Sequence, residues 1–159
     1  MPKVSMFMAK AAELQQLDYV YPTPQRPEGS DSYSFPTNAD NLSDGDLDDW
    51  MLFLGAWRGY LNFQISKLEG ELMILSQGFD LMLSTAIAYL EAESPKKLLK
   101  DSLQGQALSR DEELQHLKLQ IIDKNGTLRI LKGRLSLYDS QFETLSRVIT
   151  RRGQERLRI

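Results

Sequence analysis

Cysteine is absent from the 159 residues, and histidine occurs once, at His116. The first absence removes disulfides, thiolate zinc sites and thiol catalysis together. The second removes histidine-based metal sites and catalytic triads, which need more than one isolated imidazole. His116 therefore reads as an ordinary helix-surface residue. No uninterrupted apolar run approaches the ~18 residues of a membrane span. Met1-Pro2-Lys3 is not followed by the apolar stretch and small-residue cleavage site of a signal peptide. Both absences suit a cytoplasmic protein with no membrane partner. The chain also lacks a G-x-x-x-x-G-K-[ST] phosphate loop and a G-x-G-x-x-G fingerprint. Asp44-Gly45-Asp46-Leu47-Asp48-Asp49 resembles the opening of a calcium loop, but Asp49 and Gly55 stand where that loop requires Gly and Glu. A capped, acidic helix start explains the run better. Nothing here implies catalysis, a cofactor or a metal.

What the chain does have is helical periodicity. Hydrophobic residues make up 42%, enough for a core. Val4, Phe7, Met8, Ala11 and Leu14 recur at helical spacing and predict a short helix over 4–17. Residues 18–42 hold Pro22, Pro24, Pro27, Pro36 and Gly29, which predict an extended arm punctuated by Tyr19, Tyr21, Tyr33 and Phe35. An arm of that length either lies on its own helices or docks on a neighbouring subunit. The expected division is an N-terminal helix and arm over 1–42 and a helical hairpin over 43–159.

The first long helix is expected over 44–93. Ser43 and Asp46 give it an S-x-x-D start, and Pro95 ends it by disfavouring helix at Ser94. Between them Leu47, Trp50, Leu54, Trp57, Leu61, Ile65, Leu68, Leu72, Leu75, Phe79, Met82, Ala86 and Leu90 recur about every 3.6 residues, the period of a straight helix. Residues 95–108 form a connector, with a short helix ending at Gly105. The second long helix is expected over 110–152, opened by a capping box at Ser109-Arg110-Asp111-Glu112 and stopped by Gly153. Its heptad places Leu114, Ile121, Leu128, Leu135, Phe142 and Ile149 at a, and Leu117, Lys124, Leu131, Tyr138 and Leu145 at d. Only Lys124 interrupts this stripe. Asp123-Lys124-Asn125-Gly126 could turn, yet the stripe keeps its phase across it, so the helix is read as continuous.

These elements predict an all-α, coiled-coil-like antiparallel hairpin. Trp50, Trp57, Leu61, Leu128, Leu135 and Phe142 are its expected core or subunit contacts. Base stacking is the minority reading for the two tryptophans. Apolar residues off the main face of the first long helix are Met51, Phe53, Phe63, Met73, Ile74, Leu81, Leu83 and Ile87. They favour a homo-oligomer, for which a ring is one form. Gly55 and Gly59 share a face that would admit another helix closely.

Charge is unevenly distributed. Residues 1–94 carry five Lys/Arg against fourteen Asp/Glu, and residues 95–159 carry fourteen against eight. Arg147, Arg151, Arg152, Arg156 and Arg158 crowd the last turns, and Lys96, Lys97 and Lys100 mark the connector. Arginine forks grip phosphates, so these eight are the candidate nucleic-acid contacts. A hairpin equally places the arginines beside Asp44, Asp46, Asp48 and Asp49, where they would neutralise an acidic neighbour.

The run Leu145-Ser146-Arg147-Val148-Ile149-Thr150-Arg151-Arg152-Gly153 resembles the end of the UvsY family of phage recombination mediators. There a final amphipathic helix closes with Ile, two polar or basic residues, then Arg-Gly. Trp57 and Leu61 fit that family's earlier Leu-rich helix, and the overlap covers about residues 44–155. The resemblance implies binding of single-stranded DNA, assembly into rings, and loading of a RecA-like recombinase onto strands covered by single-strand-binding protein, in the cytoplasm of an infected bacterial host. It makes Arg151 and Arg152 the first candidates for DNA contact. The alternatives are a virion or scaffold assembly protein, and an acidic adaptor or inhibitor of a nucleic-acid-binding protein.

Overall fold

Four helices carry the chain, and no strand occurs among the described residues. The structure, a computed structural model, describes residues 3–16, 23–28 and 33–158, the side chain of Gln15 excepted. The expected arm residues Tyr19, Tyr21, Pro22 and Gly29 lie outside this set. Helix α1 spans Val4–Gln16, α2 spans Asp44–Glu93, α3 spans Lys100–Arg110 and α4 spans Glu112–Leu157, with a 3-10 turn at Ala39–Asn41 before α2. An all-α architecture with two long helices is what the hydrophobic period predicts.

The helix ends show local chemistry at work. Ser43 caps α2: its Oγ accepts from the Asp46 N–H at 3.1 Å, and the Asp46 carboxylate accepts from the Ser43 N–H at 3.3 Å. This reciprocal pair satisfies two otherwise orphaned donors. The start of α4 differs from expectation. Asp111 is the cap, its Oδ1 accepting from the Leu114 N–H at 3.1 Å. Ser109 instead belongs to the last turn of α3 and donates to the Gln106 carbonyl. Asp111 lies in extended conformation, φ −118° and ψ 102°, and is the single residue that breaks the helical run. Helix α3 runs through Gly105 because Leu103 and Ala107 on either side of it are buried.

Helix α4 also continues past Gly153 to Leu157. An interior glycine costs only about 1 kcal/mol relative to alanine. Contacts made by Arg152 and Arg156, described below, hold the turns on both sides of it. Asn125-Gly126 likewise stays helical, between buried Ile121 and half-buried Leu128.

The chain packs as two compact units, each assembled from separated segments. The first comprises Met1–Tyr19 and Ser66–Leu128. In its core, Val4 and Ala11 of α1 meet Leu72, Leu75 and Phe79 of α2, and Leu114, Leu117 and Ile121 of α4. Phe7 lies directly over Gly78, the one position along α2 where a β-carbon would fall within 3.0 Å of a ring. Lys124, the interruption of the heptad, reaches Glu71 on α2, with Nζ to Oε1 at 2.7 Å. Glu71 is the one buried charged residue among those described.

The second unit comprises Val20–Ile65 and Arg129–Ile159. Its α2 and α4 segments run antiparallel, since Asp44 meets Arg152 while Arg58 meets Asp139. Leu47, Leu54, Trp57 and Leu61 of α2 pack with Tyr138, Leu145 and Val148 of α4, and Leu135 and Phe142 are half-buried against them. Val148 replaces the expected Ile149, which is exposed.

The stretch from Tyr33 to Leu42 forms a strap over this second core. The Tyr33 ring stacks on Phe53 at 5.5 Å, and meets Trp50 and Tyr138 edge-on. Its hydroxyl donates to Gln141. Phe35 packs edge-on against Trp50. Two of the off-face apolar residues of α2, Met51 and Phe53, are thus accounted for inside this unit. Ile74 and Leu83 pack against the first core, whereas Met73 and Leu81 stay exposed.

Candidate nucleic-acid interface

The basic end of α4 folds onto the strap and onto the first turn of α2. Arg152 and Arg156 are four residues apart and therefore share a helix face. Both donate to Asp44: Arg152 Nη1 to Oδ1 at 2.9 Å, and Arg156 Nη2 to the other carboxylate oxygen. Arg152 also donates to two backbone carbonyls, Asp40 at 2.8 Å and Leu42 at 2.6 Å. Its side chain is only 23% exposed, against 68% for Arg156. Arg151, one residue along, pairs with the Asp40 carboxylate, and its side chain is 55% exposed. The two arginine hydrogen bonds hold the Asp44 carboxyl below the usual carboxylate range, that from Arg156 contributing most and that from Arg152 next. Desolvation of Tyr33 pushes its hydroxyl above the ordinary tyrosine value, with neighbouring Tyr138 adding to the rise.

The other predicted cations sit in simpler settings. Arg147 pairs with Glu143 one turn back on its own helix. Arg158 follows the last residue of α4 and is exposed. Lys96 and Lys97 lie in the turn after α2, Lys100 opens α3, and all three are exposed. Lys96 and Lys97 border a depression of about 340 Å³ shared with Glu91, Ser94, Pro95, Leu98 and Leu103. The lysines belong to the first unit and the arginines to the second.

Asp40 is the partner that sequence reasoning missed. Charge counting named Asp44, Asp46, Asp48 and Asp49, but Asp46 is engaged in the Ser43 cap. Asp40 reaches the arginines because Asn38 turns the backbone there, its side chain accepting from the Asp40 N–H at 3.1 Å. The Asn38-x-Asp40 pattern was the available signal. Arg58 was also missed; it pairs with Asp139 at 2.6 Å and lies over the Phe142 ring at 4.3 Å. Arg129 and Arg134 add further exposed cations to α4.

Trp50 and Trp57 face the aromatic core of the second unit, with Trp57 buried. That geometry does not offer either ring as a free stacking platform. A β-carbon at Gly55 or Gly59 would meet nothing within 4 Å, so that face of α2 is open. His116 is exposed, with Nε2 3.0 Å from the Gln120 amide nitrogen. No group of three or more metal-ligating side chains occurs among the described residues. By length and composition alone α2 could cross a membrane, and only 22% of its most apolar stretch is buried. Comparison with protein-family models, curated proteins and solved structures finds no match.

Proposed function

We propose that the protein is a non-enzymatic, self-assembling helical protein that binds single-stranded DNA, in the manner of a recombination mediator that helps load a RecA-like recombinase onto strands coated by single-strand-binding protein. The supporting observation is the basic stretch of α4. Residues 129–159 carry eight Lys/Arg and three Asp/Glu, and Arg129, Arg134, Arg147, Arg151, Arg156 and Arg158 are all exposed. Arg147 and Arg151 are four apart on α4, so a phosphate backbone running along the helix would meet both on one face. Contacts of this kind neutralise phosphates and release counterions without reading sequence. Exposed Leu52, Met73, Leu81 and Tyr89 on α2 support self-assembly. Several subunits on one strand would multiply a weak individual contact into useful avidity.

The pairing of Arg151, Arg152 and Arg156 with Asp40 and Asp44 favours a second reading. In it the arginines serve only to fasten the strap, and the protein is a structural assembly component. Anisotropy of a fluorescent single-stranded oligonucleotide, titrated from low to physiological salt, separates the two. For a single strand the slope of log K against log salt is about −0.7 per phosphate neutralised. Engagement of Arg147, Arg151 and Arg156 thus predicts a slope of about −2. Arg147→Glu/Arg151→Glu should flatten it while leaving the oligomer intact in sedimentation. Absence of binding at low salt would leave the assembly reading standing and end the mediator one.

A further inference from the structure

Two of the exposed arginines that the proposed function assigns to a single strand, Arg151 and Arg156, are held in this structure by carboxylates of the same chain, as is their neighbour Arg152. Asp44 presents its two oxygens to Arg152 and Arg156, and Asp40 presents one to Arg151. A carboxylate and a phosphodiester carry the same single negative charge and two exposed acceptor oxygens, and guanidinium forks donate to either. We infer that Asp40 and Asp44 form a displaceable latch, occupying Arg151 and Arg156 in the free protein and yielding them to the phosphates of a single strand. This rests on the mediator reading and specifies how its site is regulated.

The three arginines divide by burial and by partner type. Arg152 is largely buried and bonded to two backbone carbonyls as well as to Asp44. A phosphate could replace the carboxylate there, but it would not free the side chain from those carbonyls. Arg152 is the fixed post that pins Leu42 and the 3-10 turn. Arg151 and Arg156 are each more than half exposed, and their recorded partners are carboxylates. Exchange at these two needs no unfolding. The strap stays seated through Tyr33, Phe35 and Leu42 in the apolar core. Asp40 and Asp44, both exposed, return to water when released. The latch thereby moves the expected strand contacts from Arg151 and Arg152 to Arg151 and Arg156. It also biases binding toward polyanions dense enough to displace two carboxylates together.

The test compares affinities for fluorescent oligothymidylate at one low salt concentration. Asp40→Asn/Asp44→Asn removes the latch while keeping side-chain size. Asp48→Asn/Asp49→Asn removes the same formal charge from neighbouring exposed positions and serves as the control. The latch predicts that the first variant binds tighter than the control by about twofold to thirtyfold, the range expected for two exposed ion pairs. Equal tightening in both variants would reduce the effect to net charge and overturn the latch while leaving the mediator reading in place. No binding by wild type or either variant would remove both. If circular dichroism shows that the double variant loses helix, Asp40→Asn alone decides against Asp49→Asn. Asp40 lies outside α2, and its carboxylate contacts Arg151. Tighter binding by Asp40→Asn supports the latch, and equal binding overturns it.

Discussion

Replacing Lys124 with methionine tests why a charged residue interrupts an otherwise apolar stripe. Lys124 Nζ sits 2.7 Å from Glu71 Oε1, and the Glu71 side chain is only 10% exposed while that of Lys124 is 29% exposed. Around them lie Met8, Ala11 and Leu75, so the carboxylate has little water to turn to when its cation is gone. Breaking a fully buried pair costs about 3–5 kcal/mol, and a fully exposed pair is worth about 0.2–1 kcal/mol. Lys124 is partly open and Glu71 keeps further contacts, so Lys124→Met should cost about 2 kcal/mol. The reverse change should cost less. In Glu71→Leu the remaining cation sits on a long flexible stem and can reach solvent. Glu71→Leu/Lys124→Leu completes the stripe and should fall within about 1 kcal/mol of wild type, or above it, since apolar replacement of buried pairs is often neutral or stabilising. Urea denaturation followed by circular dichroism reads all four proteins, with stability taken from the midpoint at constant slope. Wild-type stability in Lys124→Met, or a double variant as unstable as that single one, would refute the argument.

The remaining predictions concern the seat of α1 and the ends of the pH range. A β-carbon at Gly78 would come within 3.0 Å of three Phe7 ring atoms. Gly78→Ala should therefore lose about 1–2 kcal/mol from overpacking despite alanine's better helix propensity. Adding Phe7→Leu should recover part of it, as measured by thermal unfolding. Because the folded Asp44 carboxyl titrates below its ordinary value of 3.8, its contribution is present above that value and is lost as pH falls through the lower folded value. Acid titration should show wild type and Asp44→Asn converging in stability below 3.8. Tyr33 has the opposite sign: its hydroxyl is raised above 10.0, so stability falls as pH rises past that value. Tyr33→Phe should blunt the alkaline loss, and an unchanged profile would exclude Tyr33 as its source.

Elements with strong period were readable in the sequence; features set by tertiary contact were not. The boundaries of α2 followed from Ser43 and Pro95 because a cap and a proline act within a few residues. Helix α4 overran Gly153 because glycine's local penalty is small beside the contacts Arg152 and Arg156 make with residues more than a hundred positions away. The burial of Val148 rather than Ile149 is set by the packing of the second core, which the a/d pattern does not contain. Lys124 looked like a defect until Glu71 stood opposite. Nothing in the one-dimensional pattern pairs position 71 with 124; that pairing is fixed by where α2 meets α4 in the first unit.

The arginine cluster shows why charge counting can locate a basic patch without assigning its partners. Five arginines in the last thirteen residues are visible in any reading of the sequence. Which of them can be surrendered to a ligand depends on what each already holds. Arg152 holds two carbonyls whose loss would expose unsatisfied acceptors beside Leu42, so its substitution should damage the strap before it alters binding. Arg151 and Arg156 hold exposed carboxylates, and such pairs contribute little to stability. Equal conservation of charge at 151, 152 and 156 would therefore conceal two different roles. Nucleic-acid affinity and strap docking should separate cleanly when Arg151→Gln/Arg156→Gln is set beside Arg152→Gln.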